Sequence, residues 1–220
     1  MKRFLEIGGV VAGVVLIAFG VAAIVLGVNG KNTVRSELKS QAIVGSPDMS
    51  PSSIAAEVKG QPWAKGFALP TCTVVNLAVD NGDRARCFAQ YMQIHTLEAT
   101  QGVRYANMGR YVALPDAPAS ALTADGATSD PKYAQVDPAT NQPVTSHARD
   151  IWVTETALTT ALNTSYMAEQ MANFGVVVGI ALLLSGIGFM ILALGGALEN
   201  KWAFARKSAA IDAKATPLSV

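Results

Sequence analysis

The stretch IGGVVAGVVLIAFGVAAIVLGV, Ile7 to Val28, decides the fold class: 22 residues pass without a single charge. A helix rises about 1.5 Å per residue, so a run of this length crosses the ~30 Å hydrocarbon core of a bilayer. A second uncharged run, Phe174 to Leu198, is long enough to do the same with some tilt. Met1-Lys2-Arg3 has the basic character of a signal-peptide start. However, the apolar run that follows exceeds the ~7–15 residues of a signal core, and no small-x-small cleavage site comes after it. The first helix is therefore expected to persist as an anchor.

Basic residues near the second run set the expected orientation. Lys201, Arg206 and Lys207 crowd its C-terminal end, and no Lys or Arg precedes it until Arg149. The positive-inside rule places that end in the cytoplasm, and two spans return the N-terminus, with Lys2 and Arg3, to the same side. Lys31, Arg35 and Lys39 after the first run point the other way, but long loops translocate largely regardless of charge. Trp202 and Phe204 beside these bases have the character of an interfacial belt. The expected layout is a cell-membrane, multi-pass chain. Residues 1–6 are cytoplasmic, 7–28 form transmembrane helix 1, and 29–172 lie outside. Residues 173–198 form transmembrane helix 2, and 199–220 are a cytoplasmic tail.

Small residues recur at matching steps in both spans. Gly9, Gly13, Gly20 and Gly27 are separated by four, seven and seven residues, and Gly175, Gly179, Gly186 and Ala193 repeat those steps. Small residues let helix backbones approach closely in lipid, so these two stripes are expected to be packing faces, for each other, for copies or for partners. Neither span holds an ionisable group, which argues against a proton relay or ion pathway at depth. Neither shows the polar face of a water-filled channel.

The outer segment reads as mainly α. Residues 31–44 lack Gly and Pro and are expected to extend the first helix. Ser50-Pro51 predicts an N-cap followed by Pro at the first helical position, with a short helix to about Lys59. The alternating TCTVVNLAV, residues 71–79, predicts a short β segment. Asp80-Asn81-Gly82-Asp83 predicts a turn and cap ahead of a helix over Arg84–Thr100 that ends near Gly102. Phe88, Tyr91, Met92, His95 and Ala99 would share one face of that helix. Residues 113–148 carry five prolines among Ala, Asp, Thr and Ser and predict a flexible Pro/Ala-rich loop. From Arg149 the pattern is helical again, so residues 149–172 are expected to form a stalk continuous with the second span. Ser146 or Asp150 would cap its start, and Ile151, Leu158, Leu162 and Tyr166 would form its apolar side.

The residues that carry chemistry are few. Cys72 and Cys87 are the only cysteines. Outside the cytoplasm an even pair reads as a structural disulfide; there is no C-x-x-C, no haem motif and no third thiol. His95 with Met92 and Glu98 offers a ligand-like i, i+3 group, yet it lacks the H-E-x-x-H pattern of helical zinc sites and reads as a half-buried histidine. His147 receives no role. Tyr91, Tyr105, Tyr111 and Trp152 read as domain core. No nucleophile elbow, P-loop or Rossmann glycine pattern occurs. Hence no catalytic, cofactor or metal residue is expected, and the chain is not expected to be an enzyme. Seventeen bases against sixteen acids leave it nearly neutral, without the basic stripe that nucleic acid requires. The expected partners are the lipid bilayer and either a membrane protein or further copies of the chain.

The phrases FLEIGGVVAGVVLIAFG, IVGSPDMSP, HTLEATQGVRYANMGRY and WVTETALTTALNTSYMAEQ resemble a family of small two-span membrane proteins from actinobacteria. The resemblance covers both spans and most of the outer segment. It implies the two-span layout and no established activity. Members are often labelled aromatic ring-opening dioxygenase, LigA-like, an activity that needs a metal held by histidine and carboxylate. No functional residue carries over from the resemblance. The expected function is that of an accessory or scaffolding subunit, or a self-assembling envelope protein. It would dock through its glycine-striped helices and its outer domain. The alternative is a membrane-anchored ligand-binding or sensing module.

Overall fold

A computed structural model describes residues 2–214, with side chains described for Phe4 and for residues 6–195. The whole expected tail, 199–220, with the basic cluster Lys201, Arg206 and Lys207 and the aromatic pair Trp202 and Phe204, therefore lies outside the described side chains. Among the described residues there are four α-helices: α1 (Lys2–Ser40), α2 (Pro51–Glu57), α3 (Gly82–Ala99) and α4 (His147–Lys214). The chain divides into two compact units, residues 1–31 with 171–220, and residues 32–170.

In the first unit, α1 and α4 meet along their small residues. An ideal Cβ on Gly13 would sit 2.9 Å from the Gly186 carbonyl oxygen, and one on Gly186 would sit 2.7 Å from the Gly13 oxygen. Gly20 and Gly179 are related in the same reciprocal way, at 2.8 and 2.7 Å. A Cβ on Gly9 would lie 3.0 Å from Ala193 Cβ, and one on Gly27 would lie 2.7 Å from the Ala172 oxygen. Gly175 is looser, with Gly27 Cα at 3.9 Å from its ideal Cβ position. The two stripes thus face each other, and a methyl group at their centre would strike backbone rather than a movable side chain. Lys31 Nζ donates to Asn173 Oδ1 at 3.0 Å at one end of this pair.

The remaining surface of the pair is apolar and bare. Phe4, Leu26, Phe174 and Leu192 are 70–88% exposed. Both helices are long and apolar enough to cross a membrane, and only 11% of each apolar window is buried by the rest of the chain. The core helix of a soluble protein would be mostly covered. A face this exposed needs an apolar solvent or partner.

The second unit is built around α3. Tyr91, Ile94 and Leu97 on this helix are almost fully buried, together with Ile54 of α2 and Val74 and Val79 of the segment between them. Leu38 of α1 and Leu162 of α4 join the same core. Local chemistry starts α2 and α3. The Ser50 side chain accepts from Ser53 N at 3.2 Å, with Pro51 at the first helical position. Asn81 Oδ1 accepts from Arg84 N at 3.0 Å and begins α3. The end of α3 is closed by Gly102 N donating to Leu97 O at 2.6 Å, with both Gln101 and Gly102 at positive φ. Gly102 is required twice over, since an ideal Cβ there would lie 2.3 Å from Trp63 Cβ.

Two sequence expectations change. Residues 71–79 form no regular strand; their strand-like pairing is limited to the isolated bridges Val44↔Ala78 and Gly45↔Val75. Asn76, at φ 52°, breaks the alternation that suggested a strand. On α3, Ala99 is exposed, whereas Ala85, Ile94 and Leu97 are buried, so the buried face is wider than the one read from sequence. The proline-rich segment contains 3-10 turns at Ala119–Ala121 and Pro131–Tyr133, and α4 begins at His147, ending the loop two residues earlier than expected. Its backbone is tied back on itself, Tyr111 bridging to both Thr128 and Thr145, and Val136 bridging to Pro143.

Within this unit α4 carries a charged fastening. Glu169, 6% exposed, accepts from Arg35 Nε on α1 at 2.9 Å and from the Gly82 backbone N–H at 2.6 Å. A carboxylate at the first turn of α3 complements the positive end of the helix dipole, and the guanidinium compensates its burial.

Candidate functional site

Cys72 and Cys87 form a disulfide that joins the extended 71–79 segment to the first turns of α3. The Tyr91 hydroxyl donates to the Cys72 carbonyl oxygen at 2.6 Å and holds the same junction. Burial pushes the Tyr91 hydroxyl pKa up. Trp152 Nε1, on α4, donates to Val103 O at 2.9 Å and to Thr100 Oγ1 at 3.2 Å. Tyr91 and Trp152 are core, as their aromatic character suggested. Tyr105 is not: it is 42% exposed, and the Arg149 guanidinium lies 4.1 Å from its ring centre and donates to its hydroxyl. Tyr105, Arg104 and Trp152 line an open groove of about 670 Å³ along α4, with Val153, Thr156 and Thr160.

The densest chemistry lies elsewhere, where α2 and the turn before it meet α3. Asp48, Glu57 and His95 each offer one ligand atom, and these atoms all lie within 4.8 Å of one another. His95 Nε2 is 3.2 Å from Asp48 Oδ2. It is shielded from solvent yet makes no hydrogen bond of good geometry. The Ser46 hydroxyl donates to Asp48 Oδ1, and this bond, helped by nearby His95, holds the Asp48 carboxyl below the usual range. Glu57 is the opposite case. A hydrogen bond shared with Glu98, together with burial and the charges of Glu98 and Asp48, raises its carboxyl to about 7.

The helical spacing of His95 and Glu98 was visible in the sequence, but their partners were not. Met92, grouped with them on spacing alone, instead lines a small cavity with Thr96, His147, Asp150, Glu155 and Leu158. Sequence reasoning also missed the buried carboxyls of α4. Glu155, Leu162 and Glu169 recur at steps of seven and all face inward, a pattern that Leu162 alone could have exposed.

No family model, curated protein or solved structure matched the chain.

Glu155 supplies one pH prediction. Burial raises its carboxyl pKa, against hydrogen bonds from Thr156 and Thr159. The cavity it faces also holds His147 and Asp150. A folded-state pKa above the unfolded one favours the protonated form. Its contribution to stability is complete below the unfolded pKa and is lost as pH rises through the folded value. Glu155→Gln, neutral at every pH, should leave the unfolding midpoint unchanged near pH 4. At pH 8 it should raise the midpoint, because the burial of a charged carboxylate is then relieved. Thermal melts of both proteins at the two pH values check this.

Proposed function

We propose that this chain is a non-enzymatic integral membrane protein of the cell membrane, an accessory or scaffolding subunit that holds a disulfide-stapled domain outside the cytoplasm. In this reading α1 and α4 both cross the bilayer, the two ends lie in the cytoplasm, and residues 29–172 are outside. The observation that carries it is the closure of the helix pair. Gly13, Gly20, Gly179 and Gly186 bring the two backbones so close that no side chain fits between them. A pair closed on itself this way is an anchor rather than a conduit. It also uses up both glycine stripes within one chain. Docking on a partner or on another copy then falls to the outer domain and to the bare apolar flanks of the helices.

The Cys72–Cys87 disulfide supports the extracytoplasmic side, since such bonds persist in oxidising compartments. The resemblance to small actinobacterial two-span proteins fits the same layout.

A second reading, a membrane-anchored module that binds an extracytoplasmic ligand, is favoured by the groove beside Tyr105 and Trp152. Purification of the tagged chain from its native membrane in mild detergent, followed by native mass analysis, separates the two. A second membrane protein at fixed stoichiometry, or a defined homo-oligomer, is expected. A lone monomer would overturn the scaffolding reading in favour of the second.

A further inference from the structure

We propose that Asp48, Glu57 and His95 bind a divalent transition-metal ion of the zinc class, clamping α2 and the turn before it onto α3. The proposal goes beyond the anchoring role and does not depend on it.

Three features of the cluster argue together. The first is the donor set. One imidazole nitrogen and two carboxylates are ligands that zinc takes readily, and they come from three separate segments: the 46–50 turn, the end of α2 and the middle of α3. The second is the spacing. Ligand atoms around a tetrahedral ion with bonds near 2.1 Å stand about 3.4 Å apart. The Asp48–His95 pair is already at 3.2 Å, and the whole set lies within 4.8 Å, so small side-chain rotations would close it. The third is the histidine itself. Its Nε2 is out of reach of solvent, points to the carboxylate side and makes no well-formed hydrogen bond. A buried polar nitrogen in that state normally has a partner, and a metal is one that fits.

The surroundings suit the role. Ser46, by donating to Asp48 Oδ1, fixes the carboxylate and leaves Oδ2 turned to the imidazole. Such outer hydrogen bonds orient the side chains that bind the metal directly. The disulfide already ties the start of α3 to its neighbouring segment, and the metal would tie its later turns to α2.

The test uses the full chain in detergent, stripped with a chelator and titrated with Zn²⁺ alone by calorimetry and by thermal melts. The wild type should bind one ion, and its melting point should rise, because a ligand that binds the native state stabilises it. His95→Gln and Glu57→Gln should each weaken binding at least 10–100-fold, the size of effect seen when metal-site partners are removed. Their metal-free melts, compared with the wild type, show that both variants fold. Ser46→Ala should weaken binding while leaving one site. Absence of Zn²⁺ binding by the wild type would overturn the proposal. So would binding that His95→Gln leaves unchanged, which would place the ion on other groups.

Discussion

Replacing Gly20 by isoleucine should separate the two helices of the anchor. An ideal Cβ at Gly20 would lie 2.7 Å from Leu183 N and 2.8 Å from Gly179 O, and neither is an atom that a rotamer change can move. Overpacking of this kind costs about 1–3 kcal/mol, and backbone obstacles place it at the upper end. Roughly 3 kcal/mol is a change of more than 100-fold in the pairing equilibrium. Cysteines at Gly9 and Ala193 report on it. The ideal Cβ of Gly9 is 3.0 Å from Ala193 Cβ, so a slight easing reaches the ~3.5–4.5 Å that a disulfide needs. In the Gly9→Cys/Ala193→Cys background, oxidation should give a high yield of cross-linked chain, and adding Gly20→Ile should abolish most of it. Gly188 has no atom within 4 Å of its ideal Cβ, so Gly188→Ile should leave the yield unchanged. Equal effects at Gly20 and Gly188 would show that glycine acts there only through backbone freedom.

Loss of the Cys72–Cys87 disulfide should be the largest single loss in the outer domain. The bond closes a loop with a sequence separation of 15. In the chain-entropy account, a loop of about this size is worth roughly 3 kcal/mol. In a domain of this size the unfolding midpoint should then fall by about 10 °C. Cys72→Ser/Cys87→Ser and wild-type protein treated with a reductant should melt alike, and reductant should not lower the double variant further. The fold should survive at low temperature, because Tyr91 still anchors the Cys72 carbonyl and both Ile54 and Val74 remain packed against α3. A double variant as stable as the oxidised wild type would mean that the neighbouring core already holds this junction without the bond.

What the sequence showed depended on whether the signal was local. The two apolar runs, the Ser50-Pro51 start of α2, the Asn81 start of α3 and the unbroken helical pattern after Arg149 are all written within a few residues of where they act. The stripes of small residues were legible too, because helical periodicity places them on one face, although periodicity does not say which surface that face will meet. The 71–79 segment misled because alternation is a strand signal only where the backbone stays extended, and Asn76 turns it into the left-handed region. The carboxylate–imidazole cluster was out of reach for a different reason. Asp48 and His95 are 47 residues apart and Glu57 is on another helix, so only the packing of α2 on α3 brings them together. The same holds for Glu169, whose partners Arg35 and Gly82 come from two other helices.

The central claim, that residues 29–172 face an oxidising space outside the cytoplasm, is tested most directly by the redox state of its two thiols in living cells. Cells expressing the chain are quenched in acid, and free thiols are blocked with a mass-tagged maleimide before and after reduction. The account predicts no mass shift before reduction and a two-tag shift after it. Two tags added without reduction would place Cys72 and Cys87 in a reducing compartment and contradict the topology proposed here.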